Sequence, residues 1–323
     1  MTASTDAPAR QHRTPDFFIV GHPKCGTTAL YEMLRVQPEI YMPALKEPHF
    51  FSREMRVGPR PQWLPDTLEE YLALFDPARA EQLVGEASPS YLRSHAAAAL
   101  IAQVQPMARI IAILREPASF LHSFHLQCLR DHVETEQRFD KAIALEGVRR
   151  AGKRIPRHSH RPQDLLYSEH VRYVEQLCRY REVFSAEQML VLIYDDFRAD
   201  NEGTVRRVLR FLGVDDTQPI EVTDANPTVR LRSKQLDDVV RSVAGGGGPV
   251  MRVVKGPVKG LTSRRLRHGA LRVARRRLVY GEPRPVDDAL MLELRRRFSD
   301  EVVALSEYLE RDLVSLWGYD SIN

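Results

Sequence analysis

The chain has 323 residues, 43% of them hydrophobic, which is enough for a packed core, and its formal charge is only +4. Three cysteines (Cys25, Cys128 and Cys178) are too few, and odd in number, for a disulfide framework or a zinc site. No apolar run reaches bilayer-spanning length, and Met1 to Asp16 is polar with no apolar signal segment, so a cytoplasmic protein without a transmembrane segment is expected.

Residues 1–14 read as a disordered arm and 15–323 as a single domain, since no linker divides the rest. Phe17 to Val20 is an apolar strand that runs into a loop bounded by Gly21 and Gly26. Thr27 and Thr28 then open a helix that continues through Ala29, Leu30, Tyr31, Met33 and Leu34. A loop with Pro38 and Pro43 leads to Lys46–Phe51, and an irregular Arg- and Pro-rich stretch fills 52–66. Leu68, Tyr71, Leu72 and Leu74 predict a helix over about 67–75, and Leu83 to Glu86 a short strand. An Ala-rich helix at about 95–104 precedes the apolar run Ala108–Leu114, which suits a buried parallel strand, as does Met189–Tyr194. Leu290, Leu294, Phe298, Val302, Leu305, Leu309 and Leu313 predict one long amphipathic helix. Strands alternating with helices give an α/β fold, a P-loop-like central parallel β-sheet flanked by helices, with ligands expected at the strands' carboxyl ends.

The first strand, Gly-bounded loop and helix aim backbone N–H groups and a positive helix end at one spot, an arrangement that binds phosphate. The spacing from Gly21 to Gly26 is that of a Walker loop, but the Lys that should follow the second Gly is missing; Lys24 lies inside the loop and Thr27 takes the later place. Such a loop cradles a 5′-phosphate, with Lys24 over the group attached to it; the plain alternative is an ordinary strand-to-helix turn. A second clamp follows the strand 108–114. Arg115 projects from the strand end, Pro117 opens a helix, and Ser123 sits about two turns into it. Two phosphate sites on adjacent strand ends fit a ligand that carries two separate phosphates.

With both clamps in view, the chain resembles, over about 16–318, the sulfotransferases that use 3′-phosphoadenosine 5′-phosphosulfate (PAPS). Their loop core is Pro-Lys-x-Gly-Thr-Thr, and their 3′-phosphate site pairs Arg with a later Ser, as Arg115 and Ser123 do here. The branch with heparan sulfate N- and 3-O-sulfotransferases and bacterial relatives is the nearer likeness, on Lys46–Phe51, Gly85–Tyr91, Val191–Phe197 and Phe211–Gly213. The family's Lys in the second of these segments is Ala87 here, so any role it has passes to Lys24, Lys46 or an arginine, or is absent.

The resemblance implies a sulfotransferase fold and transfer of a sulfuryl group from PAPS to a hydroxyl or amine of a glycan or small-molecule acceptor, leaving adenosine 3′,5′-bisphosphate (PAP). It implies no metal. Lys24 would stabilise the leaving phosphate, and Lys24, Cys25, Gly26, Thr27, Thr28, Arg115, Ser123 and Arg232 would bind the nucleotide, with Cys25 a small loop residue at a variable position. Glu47 would be the general base, with His49 and Glu86 as competing or supporting residues. Many eukaryotic relatives are anchored in the Golgi, and no such anchor is seen in this sequence.

Two basic tracts, Arg149–Arg161 and 252–277, suit an anionic acceptor, a lid over the nucleotide, or a solvated surface. No nucleic-acid motif or aromatic ladder accompanies them. A P-loop kinase or NTPase, with Asp195 holding Mg²⁺, and a non-enzymatic polyanion-binding protein are the rival readings. The acceptor and the oligomeric state are left open by the sequence.

Overall fold

The structure is a computed structural model, and it describes residues 12–157, 159–222, 230–231, 280–281 and 287–322. Arg232, the Gly245–Gly248 tract and the basic tract 252–277 lie outside the described residues.

Five parallel strands form one sheet: β1 (Phe17–Gly21), β2 (Ile40–Tyr41), β3 (Leu83–Ala87), β4 (Arg109–Leu114) and β5 (Met189–Ile193), in the order β2-β3-β1-β4-β5. Phe17 to Val20 are fully buried and Ile110 to Leu114 almost so, as helices on both faces require of a continuous apolar run. The chain leaves β1, builds β2 and β3 on one side, then returns to place β4 on the other. The carboxyl ends of β1 and β4 therefore flank the crevice where strand order reverses, the usual ligand site of such sheets.

The early helices are α1 (Thr27–Arg35), α2 (Leu68–Leu72), α3 (Ala97–Val104) and α4 (Pro117–Arg130). After them come α5 (Phe139–Ala144), α6 (Glu146–Arg150), α7 (Tyr167–His170), α8 (Tyr173–Arg181), α9 (Tyr194–Ala199) and α10 (Asn201–Leu212). A short antiparallel pair joins Arg230–Leu231 to Tyr280–Gly281.

The expected single helix over Leu290–Leu313 is three pieces: α11 (Asp288–Arg297), α12 (Ser299–Tyr308) and α13 (Leu313–Leu316). Its apolar periodicity is real, for Leu294, Phe298, Val302, Leu305 and Leu313 are all buried. Tertiary ties bend it. Glu310 is left-handed at φ 51°, Asp312 caps α13, Arg311 makes a two-pronged pair with Asp196 at 2.5 and 2.7 Å, and Trp317 Nε1 donates to Asp195 at 2.9 Å. Asp195 and Asp196 lie in the first turn of α9, where both serve this C-terminal docking. The Mg²⁺ role that the kinase reading gives Asp195 meets a carboxylate already engaged by an indole.

Gly85 marks the tightest approach under the sheet. A Cβ there would stand 2.2 Å from Phe17 Cζ and 2.4 Å from the Met42 sulfur. Gly85→Ala is expected to cost about 1–3 kcal/mol by overpacking, read as a lower denaturant midpoint with an unchanged slope.

Candidate active site

The loop after β1 is shaped by two left-handed residues, Lys24 at φ 63° and Gly26 at φ 88°. Gly26 is the residue before α1, and a Cβ on it would meet the Phe197 ring at 2.8 Å, so both conformation and space call for glycine. No side chain caps α1 and no acid stands in its first turn, so its leading N–H groups and positive end face the crevice without an internal anion. Thr27 is buried and Thr28 half-buried. Cys25 is fully buried, donates to the Pro23 carbonyl at 3.5 Å, and has its thiol pushed up to about 12 by burial; it packs rather than reacts.

Arg115 follows β4 directly. Its guanidinium donates to the carbonyl of Lys24 at 3.3 Å and lies over the Tyr194 ring at 4.7 Å. Arg115 and the loop after β1 thus meet at the start of α1. Pro117 does open α4, and Glu116 caps it, accepting from Ala118 N at 3.0 Å and Ser119 N at 2.7 Å. Ser123 is buried on that helix.

Lys46–Ser52 is laid onto the chain after β3 by a row of hydrogen bonds. Glu47 N donates to Ala87 O at 3.1 Å, His49 N to Ser88 Oγ at 3.1 Å, and Phe51 N to the Tyr91 hydroxyl at 3.3 Å. The His49 ring shares a 2.8 Å bond with Ser90 Oγ, which is also 2.9 Å from Ser52 Oγ. Glu47 and His49 are left-handed, at φ 61° and 51°, around Pro48. Their side chains come together, His49 Nε2 lying 3.6 Å from a Glu47 oxygen, while the Lys46 ammonium contacts the other carboxylate oxygen. Burial, and then the charge of Arg161, hold His49 well below the usual imidazole range, so it is neutral beside Glu47.

Glu86 stands elsewhere. It has no exposed surface, accepts from the Tyr71 hydroxyl at 3.2 Å, and is raised to about 7 by burial. It sits beneath Lys46–Phe51 among Tyr71 and Tyr91, out of reach of an acceptor, so only an indirect, supporting part is open to it.

Glu47 and His49 line a small cavity of about 70 Å³ together with His22 and Pro23 of the β1 loop. The phosphate loop and the carboxylate therefore face one space.

A family model, the sulfotransferase domain, matches residues 14–235. The chain belongs to the sulfotransferase domain family. It is 29% identical over 251 residues to carbohydrate sulfotransferase 15 of Mus musculus, covering 62% of this chain and 44% of that one. It is 28% identical over 209 residues to heparan sulfate glucosamine 3-O-sulfotransferase 3B1 of Mus musculus, covering 64% of this chain and 48% of that one. The chain spans about half the length of these curated relatives. A solved sulfotransferase from Alicyclobacillus acidocaldarius superposes with a TM-score of 0.66 at 26% identity, over 94% of this chain and 99% of that one, so the sheet and helices described above are the sulfotransferase fold.

This sulfotransferase domain places further residues around the cavity beyond those the sequence assigned to the site. His22 is buried, bonded to Gln176 at 2.7 Å and depressed to about 4 by burial, so it stays neutral at the base of the cavity. Arg93, paired with Asp164, and Arg161 line the same space. Arg161 closes the basic tract Arg149–Arg161 noted in the sequence, whereas nothing local marks His22 or Arg93.

Burial, then the charges of Arg130 and Arg115, lower the Lys24 ammonium to about 8. A bound phosphate favours the ammonium, so binding takes up a proton wherever free Lys24 is neutral. Affinity for PAP is expected to be level between about pH 7, where its phosphates (second pKa about 6) are fully ionised, and about pH 8, and to fall by up to about tenfold per unit above that. Calorimetry across that range checks this, and Lys24→Met should flatten the dependence.

Proposed function

We propose that this chain moves a sulfuryl group from PAPS to a hydroxyl or amine of a carbohydrate acceptor. One observation carries the reading: Arg115 reaches the backbone of Lys24 at the uncapped start of α1, and the same loop shares a cavity with Glu47. The donor set suits a doubly phosphorylated nucleotide, with Lys24, Thr27, Thr28 and the N–H groups of Cys25 and Gly26 on the 5′ side. Arg115 and Ser123 take the 3′ side, with Arg232 assigned there from the sequence alone. The acceptor class rests on the names of the relatives, two of which are carbohydrate and heparan sulfate glucosamine sulfotransferases.

Glu47 takes the proton from the acceptor hydroxyl as the new bond to sulfur forms. His49, held by Ser90, stands beside the carboxylate as a neutral neighbour, and Lys46 steadies its charge. Lys24 stabilises negative charge on the departing phosphate. Catalysis here is positioning and charge stabilisation in a preset environment.

PAP is expected to bind in EDTA, with ATP markedly weaker; binding of ATP alone, or of neither, would sink this reading. Lys24→Ala should cost PAP about ten- to a hundredfold in affinity, the range of one charge-assisted hydrogen bond. Glu47→Gln should lower turnover by about 10²–10⁴ and leave PAP affinity unchanged; parallel loss of both would make Glu47 a structural residue.

A further inference from the structure

A second cavity, of about 200 Å³, opens beside the first and shares His49 and Arg161 with it. Arg53, Arg56 and Arg60 form the rest of its charged lining, and among the described residues no Asp or Glu lines it. Its two loops are tied by Val57 N donating to His160 O at 2.7 Å.

The arginines are held mostly by backbone carbonyls. Arg60 Nη2 donates to Pro48 O at 2.7 Å, Arg53 Nη2 to Pro65 O at 3.2 Å, and Arg56 Nε and Nη2 to Pro59 O at 3.3 and 3.2 Å. Arg53 also stacks over Phe50 at 4.0 Å. Carboxylates approach only from outside: Asp66 is 3.7 Å from Arg60 Nε and itself 68% exposed, and Asp164 is 3.5 Å from Arg161 Nε but also pairs with Arg93. Arg60 and Arg161 are only 14% and 21% exposed, and both Nε groups lack a hydrogen-bond partner among the described residues. Burial and neighbouring arginines depress both Arg56 and Arg60. Four cations line one cavity, three of them fixed by backbone carbonyls, and the unpartnered Nε groups of Arg60 and Arg161 leave donor capacity that water satisfies poorly and an oxyanion satisfies well.

We propose that this arginine pocket binds a single carboxylate, sulfate or phosphate group on the acceptor, one residue away from the hydroxyl or amine that faces Glu47. The inference rests on the sulfotransferase reading for its reacting end, but the pocket itself does not. A space of about 200 Å³ lies below the usual range for whole ligands and takes one anionic group with part of its ring. His49 lines both cavities, so an acceptor that spans it presents its anion to the arginines and its nucleophile to Glu47.

The test is calorimetry on the full chain, with and without PAP. Its probes are methyl glucoside, methyl glucuronide, and the sulfate and phosphate esters of methyl glucoside. At least one anionic glycoside is expected to bind about tenfold or more tighter than the neutral one, the worth of one good charge-assisted contact. The Arg56→Gln/Arg60→Gln double variant should erase that preference and leave PAP affinity unchanged, and Arg60→Lys should restore part of it in the Arg56 background. Should the double variant not fold, Arg56→Gln alone, whose guanidinium donates to Pro59 O and to no other described residue, serves in its place. Equal binding of neutral and anionic glycosides, binding of none, or a preference that survives the variants would overturn the proposal. Failure of PAP to bind while the anionic preference holds would overturn the donor reading and leave the pocket standing.

Discussion

The parallel pairing of β1 with β4 governs the rest of the site. Because Phe17 faces Arg109 and Phe18 faces Ile110 in register, the loops that leave these strands emerge side by side. One carries Lys24 and the start of α1; the other carries Arg115 and the start of α4. Neither residue chooses its place by local preference. Their meeting follows from two buried apolar strands that have no other way to satisfy their backbone groups. The C-terminal segment then braces the same region from below: Tyr319 donates to the Glu116 cap at 2.7 Å, and Trp317 and Arg311 hold the start of α9. A change at the far end of the chain is thereby coupled to the geometry of Arg115.

Backbone strain is concentrated where chemistry is proposed. Lys24, Glu47 and His49 are three of the six non-glycine residues with positive φ among the described residues. Each such position costs about 1–3 kcal/mol, and a single hydrogen bond returns about 0.5–1.5 kcal/mol net. One bond does not suffice, and Lys46–Ser52 has several, given by Ala87, Ser88, Ser90 and Tyr91. The Ser88-Pro89-Ser90 step is short enough to serve both the backbone and the ring of His49. Phe50 stacked on Tyr71 at 4.5 Å, and Tyr71 bonded to buried Glu86, supply the floor. Glu86 thus earns its conspicuous place at a strand end as part of the support for Glu47.

What the sequence disclosed was whatever a short window contains. The β1–loop–α1 unit, the Arg115–Pro117 turn and the apolar strands could be read because each is fixed by neighbours within a dozen residues. The two clamps could be joined because strand order in an α/β sheet restricts where loops emerge. The bonds from 46–52 to 87–91 could not be read, since Ser88 and Ser90 carry no mark of a partner some forty positions away. Gln176 on His22 and Arg161 beside His49 are hidden for the same reason. The amphipathic pattern of Leu290–Leu313 gave the buried face correctly and the continuity wrongly, because periodicity reports which side is apolar and is blind to Glu310 turning left-handed so that Arg311 can reach Asp196.

Two kinds of arginine can be told apart by what holds them. Arg149 is buried in a two-pronged pair with Glu134 at 2.6 and 2.7 Å, and Arg93 pairs with Asp164; these cations are neutralised and their work is architectural. Arg115 is held by the carbonyl of Lys24, and Arg53, Arg56 and Arg60 by the carbonyls of Pro65, Pro59 and Pro48. A carbonyl orients a guanidinium without cancelling its charge. The positive charge at these places is therefore retained; at the β1 loop that of Arg115 adds to burial, the main cause, and to Arg130 in lowering Lys24 to about 8. An anion entering such a site meets donors already in position and pays little reorganisation. A carboxylate partner would have steadied each side chain better and removed the attraction, so the choice of neutral partners separates a site built for an incoming anion from an ordinary structural ion pair.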